Sequence, residues 1–489
     1  MRQLSALDAQ FLNVESVTTV GHVGALVVLD PLSIPGGDLT LDGLRDVIEP
    51  RLHLADPFRQ RLVEVPLGLG HPYWADDPDF DIEFHLREVA LPPPGDQQQL
   101  AEQVARIHAR PLDRTRPLWE MYLIHGVTGG RSAVYSKVHH AAIDGVSGAE
   151  ILAAIMDVTP EPRDVEQVDW SPDGLPSRLQ LLERGLLSAL TRPLELTRAV
   201  GRSLPHLADV PGAGHVPGLK AVSGVAGAVK SFVTGCPVRR GTDRRAPVAP
   251  RTPFNGPITP HRKFAYGSLP LDEIKVVKNA YGMTVNDVVM ALCTAALRRW
   301  LLDHDALPSI PVVVAVPVSI RSQENGSAAG NLVSVMLAEL PTHLGAADER
   351  LAFVQESMRE AKQHFDAVPA SILQDLSMVV PTALSGLAAR ALFKLVTLPG
   401  PPFNLFVSNV PGPQLALYVA GARVLGVYPV SAVAELSGGL NITCFSYDGA
   451  LDIGLIACRE LVPDVWNLVG YLRDALDELL VLVPPERGL

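Results

Sequence analysis

Length, composition and charge exclude several classes of protein. The chain has 489 residues, of which 47% are hydrophobic, so it can bury one very large core or two to three ordinary ones. Its net charge of −12 argues against nucleic acid as a partner, because proteins that bind a phosphate backbone present clustered Lys and Arg. Its four cysteines form no CxxC pair, which disfavours a zinc ribbon or a disulfide framework and favours a reducing cytoplasm.

The sequence predicts neither export nor a transmembrane span. The first 16 residues contain no apolar run of signal-peptide length, and the longest charge-free stretch, residues 395–422, is interrupted by five prolines. Charged residues make up only 19% of the chain, and the mean hydropathy is +0.19. This composition is more hydrophobic than is usual for a soluble enzyme, and it indicates an apolar ligand or contact with a membrane surface.

Short β-like runs alternate with helical runs from about residue 16 to residue 160, a pattern that predicts an α/β fold. The clearest strands are "HVGALVVLD", "WEMYLIHGV" and "SAVYSKVHH", and the clearest helix is "QQQLAEQVARIHARPL". We expect Trp119 to pack in the core on the strand face that it shares with Met121 and Leu123.

Residues 160–260 have a different sequence pattern, in which amphipathic segments are separated by Gly and Pro. This pattern predicts a partly helical connector. The end of this connector is basic, and an exposed loop is favoured there over a phosphate-docking loop because charge runs are usually solvated. The basic residues are Arg239, Arg240, Arg244, Arg245, Arg251, Arg262 and Lys263.

The α/β pattern resumes after residue 260. Residues 284–304 predict a helix, with Thr284 and Asp287 as a capping pair, and "IPVVVAVPVSI" predicts a buried strand. A hairpin is expected to turn at Asp448 and Gly449. We therefore divide the chain into an N-terminal domain (1–165), a connector (166–260) and a C-terminal domain (261–489).

The stretch "KVHHAAIDGVSGAE", residues 137–150, predicts a strand, a tight turn and the start of a helix. Successive strand side chains point to opposite faces, so His139 and His140 cannot face one cavity unless the strand has already ended. Gly145 suits a turn with positive φ or a close approach. Ser147 and Glu150 form a capping box for the following helix.

A histidine pair taken alone is more often structural than catalytic, and the alternatives for its chemistry are limited. A metal site needs at least three converging ligands, and neither HExxH nor CxxC occurs, so no metal is expected. No GxSxG nucleophile motif is present either. An imidazole with an ordinary pKa near ~6.5 suits general base catalysis, with the substrate supplying the nucleophile. Asp144 either fixes an imidazole tautomer or pairs with an arginine.

The segment "HHAAIDG" matches the HHxxxDG signature of the CoA-dependent acyltransferase superfamily, which includes chloramphenicol acetyltransferase and the condensation domains of peptide synthetases. The whole chain resembles the bacterial wax ester synthase/acyl-CoA:diacylglycerol acyltransferases, and in particular the actinobacterial triacylglycerol synthases. Further segments carry this resemblance: "LSALDAQFLNVES", "DPFRQRL", "PLDRTRPLWEMYLIHG", "APRTPFNGPITPHRKFA", "VPVSIR" and "FNLFVSNVPGP".

The resemblance implies two chloramphenicol-acetyltransferase-like α/β domains with a central channel at their interface. It implies that His140 is the general base, that His139 is supporting, and that Asp144 shapes the loop by pairing with an arginine, for which Arg321 is the candidate. The matching segments also offer candidate oxyanion donors, although a structural role is the stronger reading for each of them. These candidates are Asn286, Asn331, Ser408 and Asn409.

The function implied is transfer of a long acyl chain from CoA to diacylglycerol, with acyl-CoA as a substrate and no cofactor. Alternatives are wax ester synthesis from a long-chain alcohol, acyl transfer to a polyketide or glycolipid hydroxyl, and an inactive lipid-binding homologue. A cytoplasmic protein peripherally attached to a membrane or lipid droplet is expected. The segment Ser371–Val396 predicts either an interfacial helix or an ordinary buried helix.

Overall fold

The structure is a computed structural model that describes most of the chain. The described residues are 1–34, 37–143, 151, 154–166, 168–172, 174–187, 247–320, 332–366, 401–435 and 438–484. The basic end of the connector up to residue 246, the capping box at Ser147 and the segment Ser371–Val396 therefore lie outside the described residues.

Strands and helices alternate along both halves of the chain. The strands are β1 (Arg2–Gln3), β2 (His22–Asp30), β3 (Gln60–Val63), β4 (Tyr73–Asp76), β5 (Leu86–Ala90), β6 (Trp119–Val127), β7 (Arg131–His139), β8 (Arg262–Pro270), β9 (Val312–Ile320), β10 (Leu332–Leu340), β11 (Leu405–Pro411), β12 (Tyr418–Val419), β13 (Ala422–Val430), β14 (Leu440–Tyr447) and β15 (Ala450–Cys458). The helices named below are α1 (Ala6–Val14), α2 (Leu41–Ile48), α3 (Ile82–His85), α4 (Gln97–His108), α5 (Leu271–Tyr281), α6 (Val285–Asp303), α7 (Ala347–Asp366) and α8 (Val465–Leu482).

Two six-stranded sheets organise the described residues. The first has the order β12-β13-β2-β7-β6-β5, and the second has the order β10-β9-β11-β14-β15-β8; β1, β4 and β3 form a small third sheet. Both large sheets are mixed, because β5 runs parallel to β6 and β11 runs parallel to both β9 and β14. The α/β prediction is confirmed.

The predicted elements that fall on described residues form close to where the sequence indicated, except that the helix expected over residues 97–112 ends at His108. Helix α6 begins with the Thr284–Asp287 capping box, and Val288 and Leu292 are buried in the core around the second sheet. The hairpin between β14 and β15 turns at Asp448 (φ 41°) and Gly449 (φ 83°), the left-handed pair that a two-residue hairpin of type I′ requires.

Trp119 packs in the core of the first sheet with Met121 and Leu123, as predicted, and each is at most 2% exposed. Its indole N–H donates to the carbonyl of Phe58 (3.0 Å), so the polar edge of the ring is satisfied inside the core.

Two strands of the C-terminal half belong to the first sheet. Strand β13 pairs antiparallel with β2, with Val427 opposite Val27, and β12 extends the sheet beyond β13. The sheet that carries the histidine motif therefore contains strands from both ends of the chain. The division of the chain into domains at residues 165 and 260 remains a prediction. It did not anticipate that β12 and β13, from the C-terminal half, would join the sheet of the N-terminal half, an arrangement called the strand exchange below.

The two large sheets touch where β13 passes β15. The backbone N–H of Val427 donates to Asp452 (2.7 Å), which also accepts a hydrogen bond from Ser268 of β8 (2.6 Å). At Gly454 a Cβ would lie 1.8 Å from the carbonyl oxygen of Pro429, so only glycine permits this approach of the two backbones.

The connector is partly described. Residues 178–187 form a helix, in keeping with the helical pieces that the sequence predicts there, and Gly185 lies against Val65 and Leu69. Among the described helices, no single one is long and apolar enough to cross a membrane. Helices α5 and α6 would be so only as a pair, and the two are bent by 103° relative to each other.

Candidate active site

The histidine pair lies where strand β7 ends. His139 is the last residue of β7, and its backbone N–H donates to the carbonyl of Leu118 (2.9 Å). His140 begins a 3₁₀ turn, and its N–H donates to the carbonyl of Gly21 (2.8 Å). Because the strand ends before His140, the two side chains need not point to opposite faces of the sheet, as successive residues of a strand do.

The His139 ring is buried, with 1% exposure, and has polar neighbours at both nitrogens. The backbone N–H of Ala141 donates to Nδ1 (3.1 Å), and Nε2 lies 3.1 Å from Oε1 of Glu15. Nδ1 thus accepts a hydrogen bond from the backbone, and Nε2 lies close to the carboxylate without a well-aligned hydrogen bond to it.

Glu15 follows helix α1, and its carboxylate receives donors from three parts of the chain. The N–H of Gly21 (2.7 Å) and Nε of Arg114 (3.2 Å) donate to it, and His139 lies beside it. Burial alone would raise the pKa of Glu15, but His139, Arg114 and the Gly21 N–H together lower this pKa to about 2. Glu15 is therefore ionised at neutral pH.

The sequence analysis did not single out Glu15 or Arg114. Both lie in segments that carry the family resemblance, "LSALDAQFLNVES" and "PLDRTRPLWEMYLIHG". They are far apart in the chain, however, and only the folded strands bring them together beside His139.

His140 has a different environment from His139. Its ring stacks on Phe11 of α1, with ring centroids 4.1 Å apart and planes 18° from parallel. The residue is half-buried. Burial and the neighbouring His139 lower the pKa of His140 to about 4, so its imidazole is neutral at pH 7. Phe11 is a third residue of the site, after Glu15 and Arg114, that the sequence did not reveal.

A second layer of buried polar groups lies under the histidine pair. His22 pairs with His139 across β2 and β7, and its Nε2 donates to the carbonyl of His108 (2.6 Å). Nε2 of His108 donates to the carbonyl of Ser431 (3.1 Å), while Tyr135 donates its hydroxyl proton to Nδ1 (2.7 Å). Burial and then Lys137 lower the pKa of His108 to about 3, so this layer is held by neutral imidazoles.

The C-terminal half also holds the loop in front of the site. Arg262 of β8 is 7% exposed and donates to the carbonyl of Thr18, in the loop that leads to Gly21, and to the carbonyl of Val433 (3.5 Å). The position of Gly21, which contacts both Glu15 and His140, is thus fixed by residues from both halves of the chain.

The remaining predicted residues are not joined to His140. Asn286 is half-buried in the first turn of α6, where Thr284 rather than Asn286 is the N-cap. Ser408 and Asn409 are half-buried on β11, opposite Thr443 and Cys444 of β14. No hydrogen bond links His140 to these three side chains in the part of the chain that the structure describes.

Four of the predicted site residues lie outside the described residues, so the pairing of Asp144 with Arg321 stays a prediction. They are Asp144, Gly145, Arg321 and Asn331. Within the described ranges, no group of three or more His, Cys, Asp or Glu side chains is arranged to hold a metal ion.

Replacing Glu15 by Gln is expected to lower the free energy of unfolding at pH 7 by about 1–3 kcal/mol, because Arg114 and His139 lose the charge that they face. The folded-state pKa of about 2 lies below the ordinary value of 4.5, so the carboxylate stabilises the fold above pH 4.5. This contribution disappears as the pH falls from 4.5 through 2. Urea unfolding at several pH values measures it.

The matched control is Glu102→Gln, because Glu102 is an exposed carboxylate in an i,i+4 pair with Arg106. Its effect is expected to stay within about 0.5 kcal/mol. Equal stability of the Glu15→Gln variant and the unsubstituted chain at pH 7 would refute the role assigned to this carboxylate.

Comparison with known proteins places the chain in a family. The model of the wax ester synthase/diacylglycerol acyltransferase catalytic domain matches residues 4–289, and the model of the C-terminal domain of the same family matches residues 329–480. A putative diacylglycerol O-acyltransferase of Mycobacterium tuberculosis is 36% identical over 484 residues, which are 98% of this chain and 90% of the relative. A probable diacylglycerol O-acyltransferase from the same species is 36% identical over 482 residues, covering 96% and 97%.

Solved structures agree with this placement. The wax ester synthase/diacylglycerol acyltransferase from Marinobacter aquaeolei VT8 superposes with a TM-score of 0.66 and 32% identity, over 98% of this chain and 99% of that one. The first condensation domain of the CDA synthetase superposes with a TM-score of 0.53 over 99% and 97% of the two chains, and at 16% identity it shows a shared fold alone. The expected fold class is confirmed, and the chain belongs to the wax ester synthase/diacylglycerol acyltransferase family.

Proposed function

We propose that this chain transfers a long acyl group from CoA to the hydroxyl of diacylglycerol, giving triacylglycerol, and that His140 is the general base. The observation that carries the proposal is a neutral imidazole at the end of β7, stacked on Phe11 and braced through His139 by an ionised Glu15. The Mycobacterium relatives are named diacylglycerol O-acyltransferases, which supports the choice of acceptor.

In the proposed mechanism, His140 takes the proton of the acceptor hydroxyl while the hydroxyl oxygen attacks the thioester carbonyl. The tetrahedral oxyanion then collapses, the bond from carbon to sulfur breaks, and the CoA thiolate leaves. The imidazolium returns its proton to this thiolate, so the enzyme ends in its starting state. No acyl-enzyme is formed.

The low pKa of His140 suits the second proton transfer better than the first. An imidazolium whose pKa is about 4 is a strong donor toward a thiolate, whose conjugate thiol has a pKa near ~8.5. As a base the same imidazole is weak, but it is fully unprotonated at neutral pH. Because all of the His140 imidazole is in the neutral form at pH 7, its weaker affinity for the proton of the acceptor hydroxyl is partly offset.

Glu15 acts as a positioning residue in this scheme. It fixes the His139 ring and the Gly21 backbone, and Gly21 in turn holds the N–H of His140. The tetrahedral oxyanion must also accept hydrogen bonds, and the candidate donors are Asn286, Asn331, Ser408 and Asn409. The proposed pair of Asp144 with Arg321 would support the loop that carries the histidines.

A second acceptor class has independent support. The Marinobacter relative is named a wax ester synthase as well as a diacylglycerol acyltransferase, so a long-chain alcohol is the alternative substrate. The same imidazole deprotonates either hydroxyl, and the two activities are separated by comparing kcat/KM for diacylglycerol and for a long-chain alcohol.

His140→Ala is expected to lower kcat by about 10²–10⁴-fold, because the acceptor hydroxyl loses its base. The measurement is CoA release and labelled triacylglycerol formation from labelled acyl-CoA and diacylglycerol. His261→Ala is the matched control, since His261 is exposed at the start of the second sheet and should leave turnover unchanged.

Two results would contradict the proposal. Turnover by the His140→Ala variant equal to that of the unsubstituted chain would eliminate this residue as the base. Absence of CoA release by the unsubstituted chain with any alcohol would favour a lipid-binding homologue without activity.

The pH dependence of kcat/KM is expected to reflect the lowered pKa of His140. The base must be unprotonated, and a pKa of about 4 moves its protonation to a lower pH than that of an ordinary imidazole. We expect kcat/KM to stay level as the pH falls from 8 to about 5 and to drop only near 4. Recovery of full activity after the enzyme is returned to pH 7 shows that the loss at low pH is not irreversible unfolding. A fall of kcat/KM centred near pH ~6.5 would refute the assignment of His140 as a base with a lowered pKa.

Contact with a lipid surface is part of the same proposal, since diacylglycerol partitions into lipid. Association at a membrane or lipid-droplet surface, from the cytoplasmic side, would deliver this acceptor without a transmembrane span. The candidate contact is the segment Ser371–Val396, chosen from its sequence, with apolar residues followed by Arg390 and Lys394.

Co-flotation with vesicles of phosphatidylcholine and diacylglycerol tests this contact. The double variant Leu384→Asp, Leu387→Asp is expected to float about threefold less than the unsubstituted chain, because two charges must enter the interface. Leu32→Asp, at a residue that is 78% exposed, is the control and should float normally. Unchanged flotation of a folded double variant would count against the segment.

A further inference from the structure

Phe11 and Glu15 are four residues apart on helix α1, and each of them contacts one of the two histidines. Residues at this spacing lie on one face of a helix, so α1 presents both side chains to the same part of the site. Glu15, the C-cap of α1, lies beside His139, whereas Phe11 stacks on His140. One helix therefore positions both imidazole rings.

Helix α1 is held at both of its ends by contacts that do not involve His140. At the N-terminus the hydroxyl of Ser5 accepts the backbone N–H of Asp8 (3.1 Å). At the C-terminus Arg114 donates to the carbonyl of Leu12 (2.7 Å), an interaction that satisfies one of the last carbonyls of a helix. Phe11 lies between these two ends, so its position is fixed independently of the ring on which it stacks.

The geometry of the stack determines what the His140 ring can still do. The two ring centroids are 4.1 Å apart and the ring planes are 18° from parallel, so Phe11 covers one face of the imidazole. The two ring nitrogens lie in the plane of the imidazole, and a neighbour on the ring face does not compete for them. Phe11 therefore restricts the orientation of His140 and leaves its nitrogens available to the substrates.

The proposed reaction places a positive charge on this ring for part of each turnover. Burial and the neighbouring His139 both disfavour that charge, and they lower the pKa of His140 to about 4. Among the described residues, no carboxylate lies within ion-pair distance of the His140 ring. The imidazolium therefore needs another source of stabilisation.

An aromatic ring face can provide it. The face of a phenyl ring is the negative part of its quadrupole, and it attracts a cation that lies within about 6 Å of the ring centroid. The distance of 4.1 Å between Phe11 and His140 is well inside this limit. Because His140 is neutral before the proton transfer, this attraction acts mainly after the charge has formed, and it therefore lowers the barrier.

We propose that Phe11 is a positioning residue for the acyl transfer, which orients the His140 imidazole and stabilises the imidazolium that forms when this ring takes the acceptor proton. The inference rests on the proposed function of His140. Phe11 itself exchanges no proton, since the proton passes from the acceptor hydroxyl to His140 and then to the CoA thiolate. The important property is the aromatic face, because an aliphatic side chain would bury His140 without attracting its charge.

Replacement of Phe11 by an aliphatic residue tests the proposal. Phe11→Leu is expected to lower kcat about fivefold, the worth of a cation–π contact, while KM for acyl-CoA and for diacylglycerol changes less than about twofold. Phe11→Tyr keeps the aromatic face and should retain kcat within about twofold. The measurement is steady-state CoA release at pH 7. Phe11→Met takes the place of Phe11→Leu if the latter does not fold.

Phe80→Leu is the matched control. Phe80 is half-buried, as Phe11 is, and it stacks on His85 with ring centroids 5.3 Å apart and planes 14° from parallel. This pair is not part of the histidine site, so kcat of the Phe80→Leu variant should equal that of the unsubstituted chain. The thermal unfolding midpoints of all variants show whether they are folded.

The double variant of Phe11→Leu and His140→Ala shows whether Phe11 acts through the imidazole. Its kcat is expected to be within about twofold of that of His140→Ala alone, because Phe11 has no cation to stabilise once the ring is absent. A further fivefold loss in the double variant would overturn the proposal. An undiminished kcat in folded Phe11→Leu, or a Phe11→Tyr variant as slow as Phe11→Leu, would also overturn it.

Failure of the proposed function gives a different result. Turnover by His140→Ala equal to that of the unsubstituted chain would refute the base itself, and the role of Phe11 with it. If His140→Ala is inactive and Phe11→Leu is fully active, the base is retained and only the role of Phe11 is refuted.

Discussion

The site depends on one partly buried negative charge, that of Glu15. Its carboxylate is held by a backbone N–H from the start of β2, by Arg114 before β6 and by the His139 ring at the end of β7. Even partial burial of an unpaired carboxylate is costly, so the two donors and the nearby imidazole must converge for the charge to be tolerated. Their convergence fixes the backbone at Gly21, and with it the turn from which His140 projects.

The second constraint is the strand exchange between the two halves. Strand β13 completes the first sheet beside β2, and the same strand contacts β15 through Asp452 and the close approach at Gly454. Ser431, directly after β13, accepts the hydrogen bond of His108 in the polar layer below the histidine pair. The histidine motif is therefore supported by the C-terminal half, even though it lies in the N-terminal sequence.

Local sequence patterns predicted much of this architecture. Strands β2 and β7, helix α6 and the hairpin at Asp448 form because hydrophobic periodicity, capping and turn residues act over a few positions. The placement of β13 beside β2 and the contact of Glu15 with Arg114 were not predicted, because pairing of distant segments leaves no mark in local periodicity. The lowered pKa of His140 was also missed, since it results from burial against Phe11 and the neighbouring ring.

The exchange of β12 and β13 also bears on how the chain is made. During synthesis, β2 emerges about four hundred residues before its neighbour β13, because Val27 and Val427 are partners in the ladder. Until then β2 has an open edge, the kind of surface on which foreign strands can add. The open edge of β2 is therefore a site for incorrect strand pairing until β13 has been synthesised and has paired with it.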